Sequence, residues 1–256
     1  MFDSQFDTYV TCRLDIGYVL TELSQFSNAP AAIHYTCLKR VAIYLRATKH
    51  FGIIYWRPTP FMALPIGTIT PILNSDPTLP PFPSSSDPFQ LVGYVDAFHA
   101  TDIKTRRSVT GFILTLCGGA ICYRSKVQTS VTTSSTESEF VAAVTASKAI
   151  LYLRSILKEL GFEQHFPTPV YEDNEAAIAM INASKPTVRS RHIDIQHFAI
   201  QEWKLCGNIL FNHIAGTINM SDAMTKAVGW ILHTRHIHRG MGHHLPFFVN
   251  YYCTDT

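Results

Sequence analysis

Between Arg57 and Pro88 the chain carries prolines at 58, 60, 65, 71, 77, 80, 81, 83 and 88, and the stretch closes on Ser84-Ser85-Ser86-Asp87-Pro88. Proline locks φ and has no amide donor, so a run this dense enters neither a helix interior nor a central strand. Ordered structure must therefore build up on either side of it, with the run itself as a linker. This divides the sequence into a segment 1–57, a linker 58–88 and a larger part from 89 onward. With 46% hydrophobic and 16% charged residues in 256, the chain can bury one substantial core and a smaller neighbour, and its composition is not that of a disordered protein.

Before the linker, Leu14, Ile16, Val19, Leu20 and Leu23 recur at helical spacing. Past a break at Asn28-Ala29-Pro30, Ile33, Cys37, Val41, Tyr44 and Leu45 continue the pattern. A strand is expected at 51–56, and the whole segment reads as a packing module. After the linker the expected order is strand, hairpin, helix, strand, helix, helix, strand, helix. Strand one covers about 89–96, and Ser108–Leu116 with Ala120–Lys126 form a hairpin around Cys117-Gly118-Gly119. A long helix runs from about Ser135 to Leu160, burying Phe140, Val141, Val144, Ile150, Leu151, Leu153 and Leu157. Short elements follow at 169–172 and through Ala176 and Ile178, then a helix at 192–205, a strand at 208–214 and a last helix from near Met220. Three antiparallel strands followed by strands reached through helices imply an α/β fold with a mixed sheet.

Charge and composition exclude several classes. The formal charge of +2 gives no global attraction for polyanions, so a nucleic-acid site must come from local clusters such as Lys104, Arg106 and Arg107, or Arg189, Arg191 and His192. The start MFDSQFDTYV lacks the basic and apolar regions of a secretory signal, and no uninterrupted apolar run approaches the roughly 20 residues of a bilayer span. The six cysteines are scattered without a CxxC pair, which suits reduced thiols in an intracellular protein. Histidines 233, 236, 238, 243 and 244 suggest zinc, but they lack interleaved cysteines and regular ligand spacing.

Four acids stand where elements begin or end: Asp96 after the apolar run 91–95, Glu139 near the start of the long helix, Asp173 after the strand 169–172, and Asp222 at the start of the last helix. An α/β sheet gathers such positions at one edge. Carboxylates held together call for cations, and oxygen-only ligation selects hard ions such as Mg²⁺. Glu137 is the alternative to Glu139. Ser134 and Glu137 fit a capping box, which leaves Glu139 without a local task, although Thr136 with Glu139 forms a competing box. His213, ending the last strand, is either a proton relay or an exposed loop histidine.

Several motifs now agree in order and spacing: TRRSVTGF (105–112), CGGAICYRSKVQTSVTTSSTESEFVAA (117–143), YEDNEAA (171–177), RSRHIDIQHFAIQE (189–202) and SDAMTK (221–226). Over residues 89–230 they closely resemble the ribonuclease H domain of copia-type LTR retrotransposon Pol polyproteins. Residues 14–56 look like the C-terminal, thumb-like end of that family's reverse transcriptase, without any YxDD-type polymerase motif. The resemblance implies an α/β ribonuclease H-like fold, a five-stranded mixed sheet in order 3-2-1-4-5 flanked by helices, preceded by a small mostly helical segment (1–57, a thumb or connection remnant) and followed by a histidine-rich tail (231–256). It implies Mg²⁺-dependent cleavage of the RNA strand of RNA–DNA hybrids, with two ions and Mn²⁺ as a substitute. Asp96, Glu139, Asp173 and Asp222 would be the metal-binding catalytic acids, Asp96 bridging both ions, and His213 the mobile histidine. Arg106, Arg107, Arg189 and Arg191 would meet phosphates, and Thr133, Ser134, Ser135 and Asn174 the minor groove. The implied partners are the hybrid and the reverse transcriptase of the same polyprotein. The implied setting is intracellular: a cytoplasmic virus-like particle, with the nucleus as alternative. Where the family commonly reads YxDADWA this chain has Tyr94-Val95-Asp96-Ala97-Phe98-His99-Ala100, so the exit of the first strand is expected to differ. An inactive nucleic-acid-binding remnant is the alternative function.

Overall fold

The computed structural model describes residues 2–55, 89–101, 105–184 and 191–243, excepting the side chains of 2–6, 191 and 192. The proline-rich linker, Lys104, Arg189 and His244 lie outside the described residues.

The sheet contains β1 (Val92–Phe98), β2 (Val109–Leu116), β3 (Gly119–Val127), β4 (Thr168–Glu172) and β5 (Ile209–His213), in the order β3-β2-β1-β4-β5. β1–β2 and β2–β3 are antiparallel, whereas β1–β4 and β4–β5 are parallel. This is the expected mixed sheet and strand order. The β2–β3 connection is a two-residue turn in which Cys117 (φ 51°) and Gly118 (φ 82°) both have positive φ, the handedness that matches the twist of a tight hairpin. Glycine adopts it without strain, and Cys117 is held there by the flanking ladder.

Strand periodicity distributes the core to two faces. Val95, Phe112, Val170 and Phe211 face α4 (Ser135–Glu159), α5 (Glu175–Asn182) and α6 (Arg191–Leu205), packing with Phe140, Ile150, Ile181 and Ile200. Tyr94 and Ile113 point the other way, into a second cluster with Ile218, Met224, Ile237 and Met241. That face is covered by α7 (Asp222–Thr225), α8 (Trp230–Gly240) and a 3₁₀ turn at Leu14–Ile16. By length and composition alone α4 is apolar enough to cross a membrane. Here its inner face, including the buried Glu137 and Glu139, lies against the sheet.

The N-terminal segment docks on the β3 edge. α1 (Phe2–Cys12), α2 (Gly17–Ser24) and α3 (Ala32–Ala47) share a small core of Tyr9, Ile16, Leu20 and Val41. The Tyr9 hydroxyl accepts from Ser125 N at 2.9 Å, the Thr21 hydroxyl donates to Ser125 O at 2.9 Å, and the Tyr123 hydroxyl donates to Tyr9 O at 2.6 Å. Side chains thus satisfy outward backbone groups that an edge strand otherwise offers to any passing strand. Leu14 goes further and enters the second face of the sheet itself.

Three local expectations change. The apolar run 51–56 forms no strand over 51–55. Instead Ile54 N donates to Met241 O at 2.8 Å and the Tyr55 hydroxyl to Ala120 O at 2.7 Å. Its apolarity serves packing against α8 and β3 rather than ladder pairing. The last helix is broken, because Lys226 is extended (φ −146°, ψ 159°) between α7 and α8. The histidine-rich stretch from 231 begins within α8, where His236, Ile237 and Gly240 are buried.

Candidate metal centre

β1 delivers Asp96 into the middle of the sheet, on the face of Tyr94 and at 1% exposure. Its cross-strand partner is Gly111. A Cβ at Gly111 would lie 2.5 Å from Thr225 Cγ2 and 2.8 Å from Met224 Cβ, so the missing side chain is what lets α7 approach β2. This docking brings Thr225, whose hydroxyl donates to Asp96 Oδ2, and Asp222 to the same carboxylate. A buried polar network fixes the preceding loop: Asn219 Nδ2 donates to Val95 O at 2.8 Å, and the Ser221 hydroxyl to Asn219 Oδ1 at 2.5 Å.

Asp173 follows β4 directly and is half-buried against Gly216, where a Cβ would stand 2.8 Å from its Oδ2. Asn174 caps α5, its Oδ1 accepting from Ala177 N at 3.1 Å, which leaves its amide nitrogen for other partners. Glu139 sits a turn into α4. Glu137 is committed elsewhere, as Ser134 Oγ accepts from Glu137 N at 3.1 Å while Glu137 Oε2 accepts from Thr133 N at 2.6 Å and from the Thr133 hydroxyl at 2.7 Å. The carboxylate therefore caps one residue further upstream than a standard capping box.

Two groups of carboxylates result. Oxygens of Asp96, Asp173 and Asp222 lie within 4.8 Å of one another, as do those of Glu139, Glu172 and Asp173. All four acids singled out in the sequence meet at one sheet edge, with Asp173, not Asp96, common to both groups. Glu172 was not anticipated. As the last residue of β4 it alternates in phase with Val170 and is fully buried, so strand periodicity alone could have flagged a carboxylate on the core face.

The cluster is electrostatically loaded. Burial, then Glu172, Asp96 and Asp173, push Glu139 up to about 12. Burial and Asp96 raise Asp222 to about 7 against the lowering effect of Lys226. Glu172 and Asp96 are raised chiefly by burial. Lys226 Nζ lies 2.8 Å from Asp222 Oδ1 and 3.9 Å from Asp96 Oδ2. Glu139 Oε2 and Glu172 Oε2 are buried without a hydrogen-bond partner. Oxygen-only donors, three to a group, with orphaned buried oxygens, fit a hard divalent cation.

The remaining expected residues surround this edge. His213 ends β5 with an exposed ring, Nε2 4.0 Å from Glu175 Oε1 and outside both acid groups. Arg106 and Arg107 are exposed before β2, and Thr133, Ser134 and Ser135 are exposed at the start of α4. Arg191 begins α6, its side chain among those not described. After Asp96 the strand simply continues to Phe98, and His99 Nδ1 lies 3.4 Å from both Ser108 Oγ and Thr132 Oγ1. The altered residues leave Asp96 in place. Among the described residues no group of three that could hold a metal includes a histidine.

No protein-family profile matches the chain. It is 32% identical over 219 residues to the retrovirus-related Pol polyprotein from transposon TNT 1-94 of Nicotiana tabacum, covering 86% of this chain and 14% of that protein. It is 28% identical over 216 residues to the Pol polyprotein from transposon RE2 of Arabidopsis thaliana, covering 84% and 13%. The chain thus spans about one-seventh of these polyproteins. It is also 33% identical over 144 residues to secreted RxLR effector protein 161 of Plasmopara viticola, covering 56% of this chain and 82% of that protein. Among solved structures, LC11-RNase H1 from compost aligns with TM-score 0.42 and 16% identity over 54% of this chain and 93% of its own. The same enzyme in complex with an RNA/DNA hybrid aligns with TM-score 0.41 and 16% identity, covering 53% and 94%. The fold follows from the strand order and directions; the polyprotein matches extend across both sides of the proline-rich linker. The chain belongs to the retrovirus-related Pol polyproteins of copia-type transposons, and its mixed sheet has the strand order of a ribonuclease H-like fold.

Proposed function

We propose that this domain hydrolyses the RNA strand of RNA–DNA hybrids in a divalent-metal-dependent reaction during reverse transcription of its element. The observation that carries the reading is the convergence of Asp96, Glu139, Asp173 and Asp222 from four separate elements, with Asp173 common to two sets of oxygen ligands. Asp96, Asp173 and Asp222 would hold one Mg²⁺ and Glu139 with Asp173 a second, Mn²⁺ serving as substitute. Such ions supply an activated water and neutralise charge on the phosphate.

The protein's own groups do the rest. Thr225 orients the Asp96 carboxylate, and the Asn219–Ser221 network holds the Asp222 loop against β1. His213, exposed at the end of β5, can carry a proton between the cluster and solvent. Arg106 and Arg107 would meet backbone phosphates, with Arg189 and Arg191 in the same role. Thr133, Ser134, Ser135 and the Asn174 amide would read ribose hydroxyls across the minor groove, which suits recognition of hybrid shape rather than sequence. The reading makes the reverse transcriptase of the same polyprotein the domain's partner and a cytoplasmic particle its setting.

The test is incubation with a hybrid labelled on one strand or the other, with Mg²⁺ and with chelator. Cleavage confined to the RNA strand, leaving 3′-hydroxyl and 5′-phosphate ends and abolished by chelation, is expected. Hybrid binding with no cleavage in either metal would establish the inactive remnant instead.

A further inference from the structure

The two acid groups differ in what neutralises them. Among the described residues no lysine or arginine forms an ion pair with Glu139 or Glu172, whereas the Asp96–Asp222 edge has Lys226 against both carboxylates. Asp222 and Lys226 are four residues apart, and on an exposed helix such a pair would contribute little. Here the setting is different. Asp96 comes from another element, Asp96 and Asp222 are 1% and 7% exposed, and two such buried carboxylates do not stay ionised side by side without a cation.

Resting on the metal-site reading above, we infer that Lys226 is the built-in counter-cation of the Asp96–Asp222 edge, which a divalent ion occupies only by displacing the lysine ammonium. The surrounding structure equips the lysine for this exchange. Its backbone has already left α7 in an extended conformation, and its side chain is 32% exposed, so the ammonium has a path to solvent on a flexible stem. Thr225, by contrast, is fully buried and keeps Asp96 aimed inward when the lysine leaves. The lysine holds the edge together without metal, and the two ion positions therefore load unequally. Among the described residues Glu139 and Glu172 have no ion-paired lysine or arginine, whereas the Asp96–Asp222 side must first release one.

Calorimetric titration of the metal-free full chain with Mn²⁺ tests this on the wild type, Lys226→Met and Lys226→Arg. Lys226→Met is expected to bind the weaker ion roughly tenfold or more tighter, the scale of one lost charge-assisted contact. Lys226→Arg, which keeps the charge, is expected to bind it as weakly as wild type. Equal binding by the wild type and Lys226→Met, or weaker binding by the variant, overturns the role of Lys226 while leaving the metal site intact. Absence of Mn²⁺ binding in all three forms overturns the metal site itself, and the inference with it. Should Lys226→Met be too unstable without metal, its unfolding midpoint is followed against Mn²⁺ concentration. A rise steeper than that of wild type supports the exchange, and the same slope refutes it.

Discussion

Leu14 lies before the proline-rich linker, yet its side chain is fully buried among sheet and C-terminal residues, in one cluster with Tyr94, Ile113, Ile237 and Met241. A Cβ built on Gly240 would come 3.3 Å from Leu14 Cδ1, so α8 rests on this leucine. Leu14→Ala removes three carbons, about 2.4 kcal/mol at roughly 0.8 kcal/mol per methylene. Incomplete collapse of the hole adds about 1 kcal/mol, for a total of about 3 to 4 kcal/mol, inside the range seen for buried leucines. Urea unfolding of the full chain, followed by far-ultraviolet circular dichroism without metal, reads this as a lower midpoint at constant slope. Ile43→Ala, at 58% exposure, is the control and should change stability by less than about 0.5 kcal/mol. A Leu14→Ala cost under about 1 kcal/mol, or a separate early transition, would refute the claim that the N-terminal segment completes the second face of the sheet.

Other consequences concern the site and its support. Thr225→Val removes the hydroxyl that Asp96 accepts from. It should cost about 1–3 kcal/mol of stability and slow hybrid cleavage with hybrid affinity unchanged, and full turnover would deny it a positioning role. Gly216→Ala places a methyl 2.8 Å from Asp173 Oδ2. Displacement of a ligand by about 1 Å can cost roughly a hundredfold in rate, so a marked fall in kcat with an unchanged unfolding midpoint is expected. Burial, aided by Arg235 and His233, lowers His236 to about 3 from 6.5. A depressed folded-state value means its stabilisation is complete above about pH 6.5 and is lost as pH falls toward 3, about 2 kcal/mol by pH 5. His236→Gln should remove that share of the wild-type difference in unfolding free energy between pH 7 and pH 5; an unaltered difference would contradict the buried neutral imidazole.

What was legible in the sequence had a physical period. The largely apolar run Ser108–Leu116 and the helical spacing across 135–160 place β2 and α4 almost to the residue, because burial writes itself into one continuous chain segment. The acids were legible because each stands at an element boundary, and Glu137 was separated from Glu139 by capping chemistry that is itself local. What was not legible depends on partners elsewhere in the chain. The run 51–56 has strand composition, but over 51–55 its backbone meets Met241 rather than a ladder. The histidines of α8 read as a polar tail, yet Ile237 and Met241 are spaced to bury against Leu14 and the sheet. Thr225 and Lys226 sit inside a recognisable motif, but their tasks exist only because Gly111 lets α7 close on Asp96. Glu172 was overlooked beside its neighbour Asp173, although the strand phase already turned it inward.

Asp173 is common to both carboxylate groups, so the most direct test is strand-specific cleavage of a labelled RNA–DNA hybrid in Mg²⁺ by wild type and Asp173→Asn, with folding of both checked by circular dichroism. The account predicts RNA-strand cleavage by the wild type and a loss of several orders of magnitude in the variant. Wild-type turnover by a correctly folded Asp173→Asn would contradict it.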